Sequence, residues 1–292
     1  MKRLHLAGII PVANLKSDFQ IPTPEILLPV SRDLTAIQKS VFECAMAGCN
    51  TIWIVANDDI APIVRSTIGE WVYDPVYYRR PTRHSSEERR EIPIYYVPIH
   101  PKDRARRDSY GWSILFGIHS AWYAAYKISK WIVPEKYYVS FPMAMHNVHA
   151  LREQRANIRD LKRNFFLTFE EKTVKESLPL SFTMTGKDFK ECRRLVNSLT
   201  TREYLPPSAG ETYPSKKLPI SDRWSARHFD LGTVLQKVAS ENAHHHPAEW
   251  FYDISSWDGY KNFLSSEKQI ETPEEGLTKA HKHVKLPYTI GD

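Results

Sequence analysis

The chain has 292 residues, 42% of them apolar and 12% aromatic, and a formal net charge of +6. That composition argues for a folded core and against disorder, and the length suits one large α/β domain or two small ones. No apolar run approaches the roughly 20 residues that a membrane span needs, so no membrane role is expected.

The N-terminus MKRLHLAGIIPV is basic and then apolar. Its apolar part is short, holds Pro11 and runs into no small-residue cleavage site, so Leu6–Val12 is expected as a first strand and not as a leader. Cys44, Cys49 and Cys192 form no CxxC pair. Buried free thiols in a reducing compartment are the expectation: the cytoplasm, another such compartment, or a particle assembled there.

Pro24–Asn57 organises the chain. Ser31 and Asp33 are N-cap candidates, and Leu34, Ile37, Val41 and Ala45 repeat at helical spacing. Gly48 sits where a helix ends. Thr51–Ala56 is apolar and β-branched enough for a central strand. A strand, a loop, a helix and a strand in this order predict a right-handed parallel unit. The fold class expected is therefore α/β, a mixed, mostly parallel Rossmann-like sheet flanked by helices.

Beyond it, Ala61–Trp71 reads as a short helix capped by Asp58 or Asp59. Val76–Arg90 is charged and broken by proline, and reads as a surface loop. Glu91–Ile99 reads as a strand, and His100–Arg107 as a second basic loop. Ser109–Trp131 is the longest helical pattern, with Ile114, Ile118, Trp122 and Ala125 on one stripe. Tyr137–Phe141 reads as a strand stopped by Pro142. Ala150–Arg163 is a basic amphipathic segment, followed by a strand at Phe165–Phe169 and a helix at Lys187–Ser198. His228–Ala243 reads as a helix running into His244, His245 and His246. Three adjacent histidines cannot share one helix face, so no built metal site is expected there. One domain is expected over residues 1–265, with a charged C-terminal tail or arm over 266–292.

The segments LAG, PEILLPV, SVFECAMAGCN and TIWIV, taken in this order, resemble the opening of the sugar-phosphate nucleotidyltransferases. The resemblance implies a nucleotidyltransferase-like fold and Mg²⁺-assisted transfer of a nucleotide from a nucleoside triphosphate to a sugar phosphate. It places Gly8 in the phosphate loop, Gly111 and Ser113 at the glycine turn that opens a helix, and Glu171 and Lys172 in the element that meets the sugar and its phosphate. Asp253, in Tyr252-Asp253-Ile254, matches a metal-binding aspartate, and Lys16 is the cation nearest the phosphate loop.

The chemical residues of the motifs are depleted. The family's G-G-x-G-x-R is represented by Gly8-Ile9-Ile10-Pro11-Val12-Ala13, where Pro11 has no amide to offer a phosphate. The family's P-K lysine corresponds to Glu25. Met143 takes the approximate place of the first metal aspartate, and a thioether is a poor Mg²⁺ ligand.

The expectation is a non-catalytic binding or structural component with no cofactor and a protein partner or larger assembly. The alternative is a divergent, Mg²⁺-dependent enzyme in which Lys16 and Asp253 act in catalysis, Asp253 as metal ligand, with a nucleotide or sugar phosphate bound. A third reading is nucleic-acid binding through the basic patch of Arg79, Arg80, Arg83, Arg104, Arg106 and Arg107.

Overall fold

The computed structural model describes residues 4–13, 18–79, 88–101, 103, 109–200, 205–219, 228–268 and 270, without the side chains of 77–79, 88, 89 and 131. In chain order the strands and helices are β1 (Leu6–Pro11), β2 (Pro29–Ser31), β3 (Leu34–Thr35), α1 (Ala36–Ala47), β4 (Thr51–Asn57), α2 (Ala61–Ile68), β5 (Trp71–Arg79), β6 (Glu88–Ile99) and α3 (Tyr110–Ile128). There follow β7 (Lys136–Val139), β8 (Ala144–His146), α4 (Leu151–Arg159), β9 (Phe165–Thr168), β10 (Phe182–Thr185), α5 (Gly186–Leu199), α6 (Leu231–Leu235), β11 (His244–Pro247), β12 (Phe251–Asp253) and α7 (Trp257–Leu264).

Eight strands form one sheet in the order β11-β9-β10-β7-β1-β4-β6-β5. β1 is parallel to β4 and β7, and β4 is parallel to β6. β10 runs against β7 and β9, β11 follows β9, and β5 runs against β6. The sheet is thus mixed and mostly parallel. The C-terminal ends of β1, β4, β6, β7, β9 and β11 share one edge.

Period-two alternation along the central strands feeds two apolar layers. Ile10, Ile52, Ile54 and Tyr138 pack on the side of α1, α2 and α4. Ile9, Trp53, Val55, Tyr137 and Val139 pack on the side of α3, α5 and α6. The crossover from β1 to β4 therefore uses one face, and that from β6 to β7 the other. The point where the winding reverses lies between β1 and β7. In open α/β sheets, that reversal at the C-terminal edge is where ligands bind.

Four local expectations are corrected. α1 is capped by Thr35, not by Ser31 or Asp33. Its hydroxyl accepts from the Gln38 amide while the Gln38 side chain accepts from the Thr35 amide. At α2 the N-cap position is Ile60, and its side chain makes no capping bond. Val76–Arg90 is no loop throughout: β5 extends to Arg79 and β6 begins at Glu88, with a register shift between Tyr73 and Tyr78 after Pro75. The helix expected over His228–Ala243 contracts to α6, and the histidines form β11, pairing with β9. β11 is an edge strand, which tolerates Pro247, and the His245 ring stacks on Phe166 with centroids 5.6 Å apart.

Candidate functional site

The switch point is framed by the ends of β1 and β7. Beyond β1, the amides of Val12 and Ala13 both donate to the Val55 carbonyl, at 2.8 and 3.0 Å. They are spent inside the fold and not offered to a phosphate. Gly8 lies within β1, between Ile52 and Tyr138 in register. A Cβ at Gly8 would sit 2.8 Å from the Cys44 sulfur, so α1 packs closely over this glycine.

Beyond β7, the Ser140 amide donates to the Ile9 carbonyl at 3.0 Å. The chain then passes Phe141 and Met143 before entering β8, and both side chains are buried. β8 pairs with β12, which sets Ala144 opposite Asp253, and the Ile254 amide donates to the Met143 carbonyl at 2.8 Å. The structure therefore brings together Met143 and Asp253, positions far apart in sequence. The Asp253 Oδ1 accepts from the Ser255 amide at 2.9 Å, an ordinary turn bond.

A Mg²⁺ ion needs several hard oxygen ligands in octahedral array. Asp253 offers one carboxylate and Met143 a soft sulfur, so this donor set does not fit the ion. Among the described residues, no group of three or more His, Cys, Asp and Glu side chains is arranged to hold a metal.

The remaining candidates spread around the same edge. Gly111 lies in the first turn of α3, where a Cβ would meet the Val234 side chain at 2.8 Å. The Ser113 hydroxyl is buried and donates to the Ser109 carbonyl at 3.0 Å, while Ser109 Oγ caps the helix by accepting from the Trp112 amide. Glu171 and Lys172 are exposed in a tight turn that follows β9, closed by the reciprocal Phe169 and Lys172 backbone bonds. Glu170 and Glu171 hold φ of 49° and 63°, the left-handed pair that such turns reserve for Asn and Gly. Arg79 ends β5. Lys16, Arg80, Arg83, Arg104, Arg106 and Arg107 lie outside the described residues.

One cluster at this edge escaped the reading of the sequence. Glu43 of α1 is fully buried, and its carboxylate accepts from Lys39 Nζ at 2.9 Å, the Tyr138 hydroxyl at 2.8 Å, the Ser140 hydroxyl at 2.7 Å and the Ser181 hydroxyl. Lys39 Nζ also donates to the Phe141 carbonyl at 3.1 Å. His146 Nε2 stands 3.4 Å from the Glu43 carboxylate. Burial alone would push the Glu43 pKa up; the Lys39 ammonium, then His146 and the Ser181 hydroxyl, hold it well below the usual carboxylate range. This network fastens α1 to the end of β7 directly beneath the switch point. Lys39 and Glu43 are the only charged residues of α1. A helix buried all round must pair such charges with each other, and that was the available signal.

The Tyr110 hydroxyl is buried nearby, and its ring packs on Phe141 with centroids 5.2 Å apart. Burial pushes its pKa well up, and the charges of Asp253 and Glu43 add to the effect. Tyr110, Phe141 and Met143 thus occupy the switch point with aromatic and thioether side chains.

The architecture is matched by a solved structure from Bacillus anthracis, provisionally named a glucose-1-phosphate thymidylyltransferase and solved in complex with a sucrose. The match has a TM-score of 0.54 at 10% identity and covers 91% of this chain and 98% of that one. This is the sugar-phosphate nucleotidyltransferase fold. A UDP-glucose pyrophosphorylase complexed with UDP-glucose matches at a TM-score of 0.49 and 14% identity, over 89% of this chain and 97% of that one. The second likeness is too loose to argue from. No family model and no curated protein matches the sequence. At such identities the likeness concerns the nucleotidyltransferase fold alone, and activity must be argued from the site.

Proposed function

We propose that this chain keeps the nucleotidyltransferase scaffold without transferring nucleotides and acts as a binding or structural component of a larger assembly. The observation that carries the reading is Met143, 2% exposed, hydrogen-bonded through its backbone to the strand end that holds Asp253. Nucleotidyl transfer requires cations to neutralise the charge that develops on the phosphates. Here the chain beside the strand end that holds Asp253 carries a thioether and not a second carboxylate. The amides of Val12 and Ala13, spent on Val55, support the same reading.

The direct test is an assay for pyrophosphate release from each nucleoside triphosphate with Mg²⁺ and glucose 1-phosphate. No release above the protein-free control is expected. Turnover that disappears in Asp253→Asn would overturn the proposal.

A second reading, a divergent enzyme acting on a sugar phosphate, is favoured by the turn at Glu170–Lys172. Two glutamates in left-handed conformation cost stability, and such strain clusters at functional sites. Under that reading Glu171 meets the sugar, Lys172 and Lys16 the phosphates, and Asp253 the metal. Replacing Glu170 and Glu171 by Asn and Gly separates the two. A merely structural turn gains stability from the change, whereas a binding turn also loses sugar-phosphate affinity.

A further inference from the structure

α3 covers the sheet with one side and turns the other to solvent, and that outer side is aromatic. Trp112, Phe116, His119, Trp122, Tyr123 and Tyr126 follow one another at spacings that keep them on one face. Trp122, Tyr123 and Tyr126 are 40%, 51% and 46% exposed, and Ile128 beyond them is 74% exposed. In its 19 residues the helix carries one fully charged side chain, Lys127. Burial and then the nearby Arg193 lower the His119 pKa. An ordinary solvent face of a helix carries Glu and Lys instead.

The rings are already stacked on one another. Trp112 lies on Phe116 with centroids 4.8 Å apart and planes 14° apart, and Trp122 lies on Tyr126 at 5.5 Å and 14°. One face of each of these four rings is taken up along the helix, and Lys127 Nζ stands over the Tyr123 ring, 5.4 Å from its centroid. A platform for nucleic-acid bases would need open ring faces. A ridge of rings stacked on one another instead suits another apolar surface.

We propose that this ridge is the self-association surface of the chain, with α3 of one copy laid antiparallel against α3 of a second copy across a two-fold axis near His119. Such an interface is isologous and needs no separate partner. With aromatic side chains of about 150–250 Å² each, the exposed fractions of Trp122, Tyr123 and Tyr126 leave roughly 200–350 Å² of ring surface in water. That is a substantial apolar centre for a standard interface of about 800 Å² per partner, polar rim included. The near-absence of charge on α3 lets two identical faces meet without like-charge repulsion at the centre. The rim is another matter. Lys127 and Arg193 present the same sign from both copies, so salt should screen their repulsion and tighten the dimer. An acidic-rimmed foreign partner would show the opposite dependence.

The inference does not depend on whether the nucleotidyltransferase site is active. The test is sedimentation velocity on the full chain across the micromolar range, at low and high sodium chloride. The wild type is expected to be a dimer whose affinity rises with salt. Trp122→Glu combined with Tyr126→Glu is expected to be a monomer with an unchanged circular dichroism spectrum. Tyr213→Glu, at a residue 80% exposed elsewhere, is expected to remain a dimer. Should the double variant fail to fold, His119→Cys supplies a second test, because the native cysteines are all buried. A short bis-maleimide is expected to link it to its twin. A monomeric wild type, a dimer indifferent to the α3 changes, or one that dissociates as salt rises would overturn the proposal.

Discussion

Lys39→Met removes the ammonium that faces Glu43 and leaves a carboxylate fully buried among three hydroxyls. Breaking a buried ion pair from one side costs about 3–5 kcal/mol, because the remaining charge stays desolvated without its counter-charge. At the roughly 2–4 °C per kcal/mol of chains this size, the melting temperature should fall by about 10 °C. The Phe141 carbonyl loses its bond to Lys39 as well. Adding Glu43→Gln to make a double variant removes the stranded charge and keeps an acceptor oxygen for the buried hydroxyls, so part of the loss should return. Urea unfolding followed by circular dichroism measures all three proteins on one scale. The pH dependence supplies a second check. Glu43 is held below its unfolded value, so its contribution is complete above that value and is lost as pH falls into acid. The double variant should lack this acid-sensitive component. A Lys39→Met loss below about 1 kcal/mol, or a double variant no more stable than the single, would refute the account of the network.

Three further outcomes follow from the same geometry. Gly8→Ala places a methyl 2.8 Å from the Cys44 sulfur, and this overpacking should cost about 1–3 kcal/mol in urea unfolding. Met143→Asp should destabilise the protein by burying a charge. The same variant should acquire a Mg²⁺-dependent rise in melting temperature absent from the wild type, as binding to the folded state alone requires. Lys136 is buried, with its ammonium donating to the Asp160 and Arg163 carbonyls, and burial pushes its pKa down to about 8. Between that value and its unfolded one the unfolded chain binds the extra proton, so stability should rise with pH across this window in the wild type and not in Lys136→Met. Parallel unfolding curves at several pH values read the difference.

Much of the scaffold was legible because local signals agreed with the global fold. Gly48 holds φ 88° and ends α1 as its place after Ala47 suggested, and Thr51–Asn57 is the central strand that its β-branched run implied. The loop expected over Val76–Arg90 misled because charge was taken as the signal, whereas the first residues of β6 pair with the edge strand β5 alone and β4 joins only from Ile94 onward. The histidines misled in the other direction: helical propensity was extended through a segment whose pairing with β9 is set by distant residues. At the site, a resemblance of motifs could point to Asp253 but not to its surroundings. That Met143 lies beside it, and that Lys39 and Glu43 close a network with Tyr138, Ser140 and Ser181, follows from contacts separated by about a hundred residues or more. No local pattern encodes those.

The central proposal is that the switch point does not bind a metal–nucleotide complex. Calorimetric titration of the full chain with each nucleoside triphosphate, with and without Mg²⁺, tests it most directly. The account predicts no magnesium-dependent heat of binding for any of them. Magnesium-dependent binding tighter than about 100 μM, roughly −5.5 kcal/mol, that is lost in Asp253→Asn would contradict it.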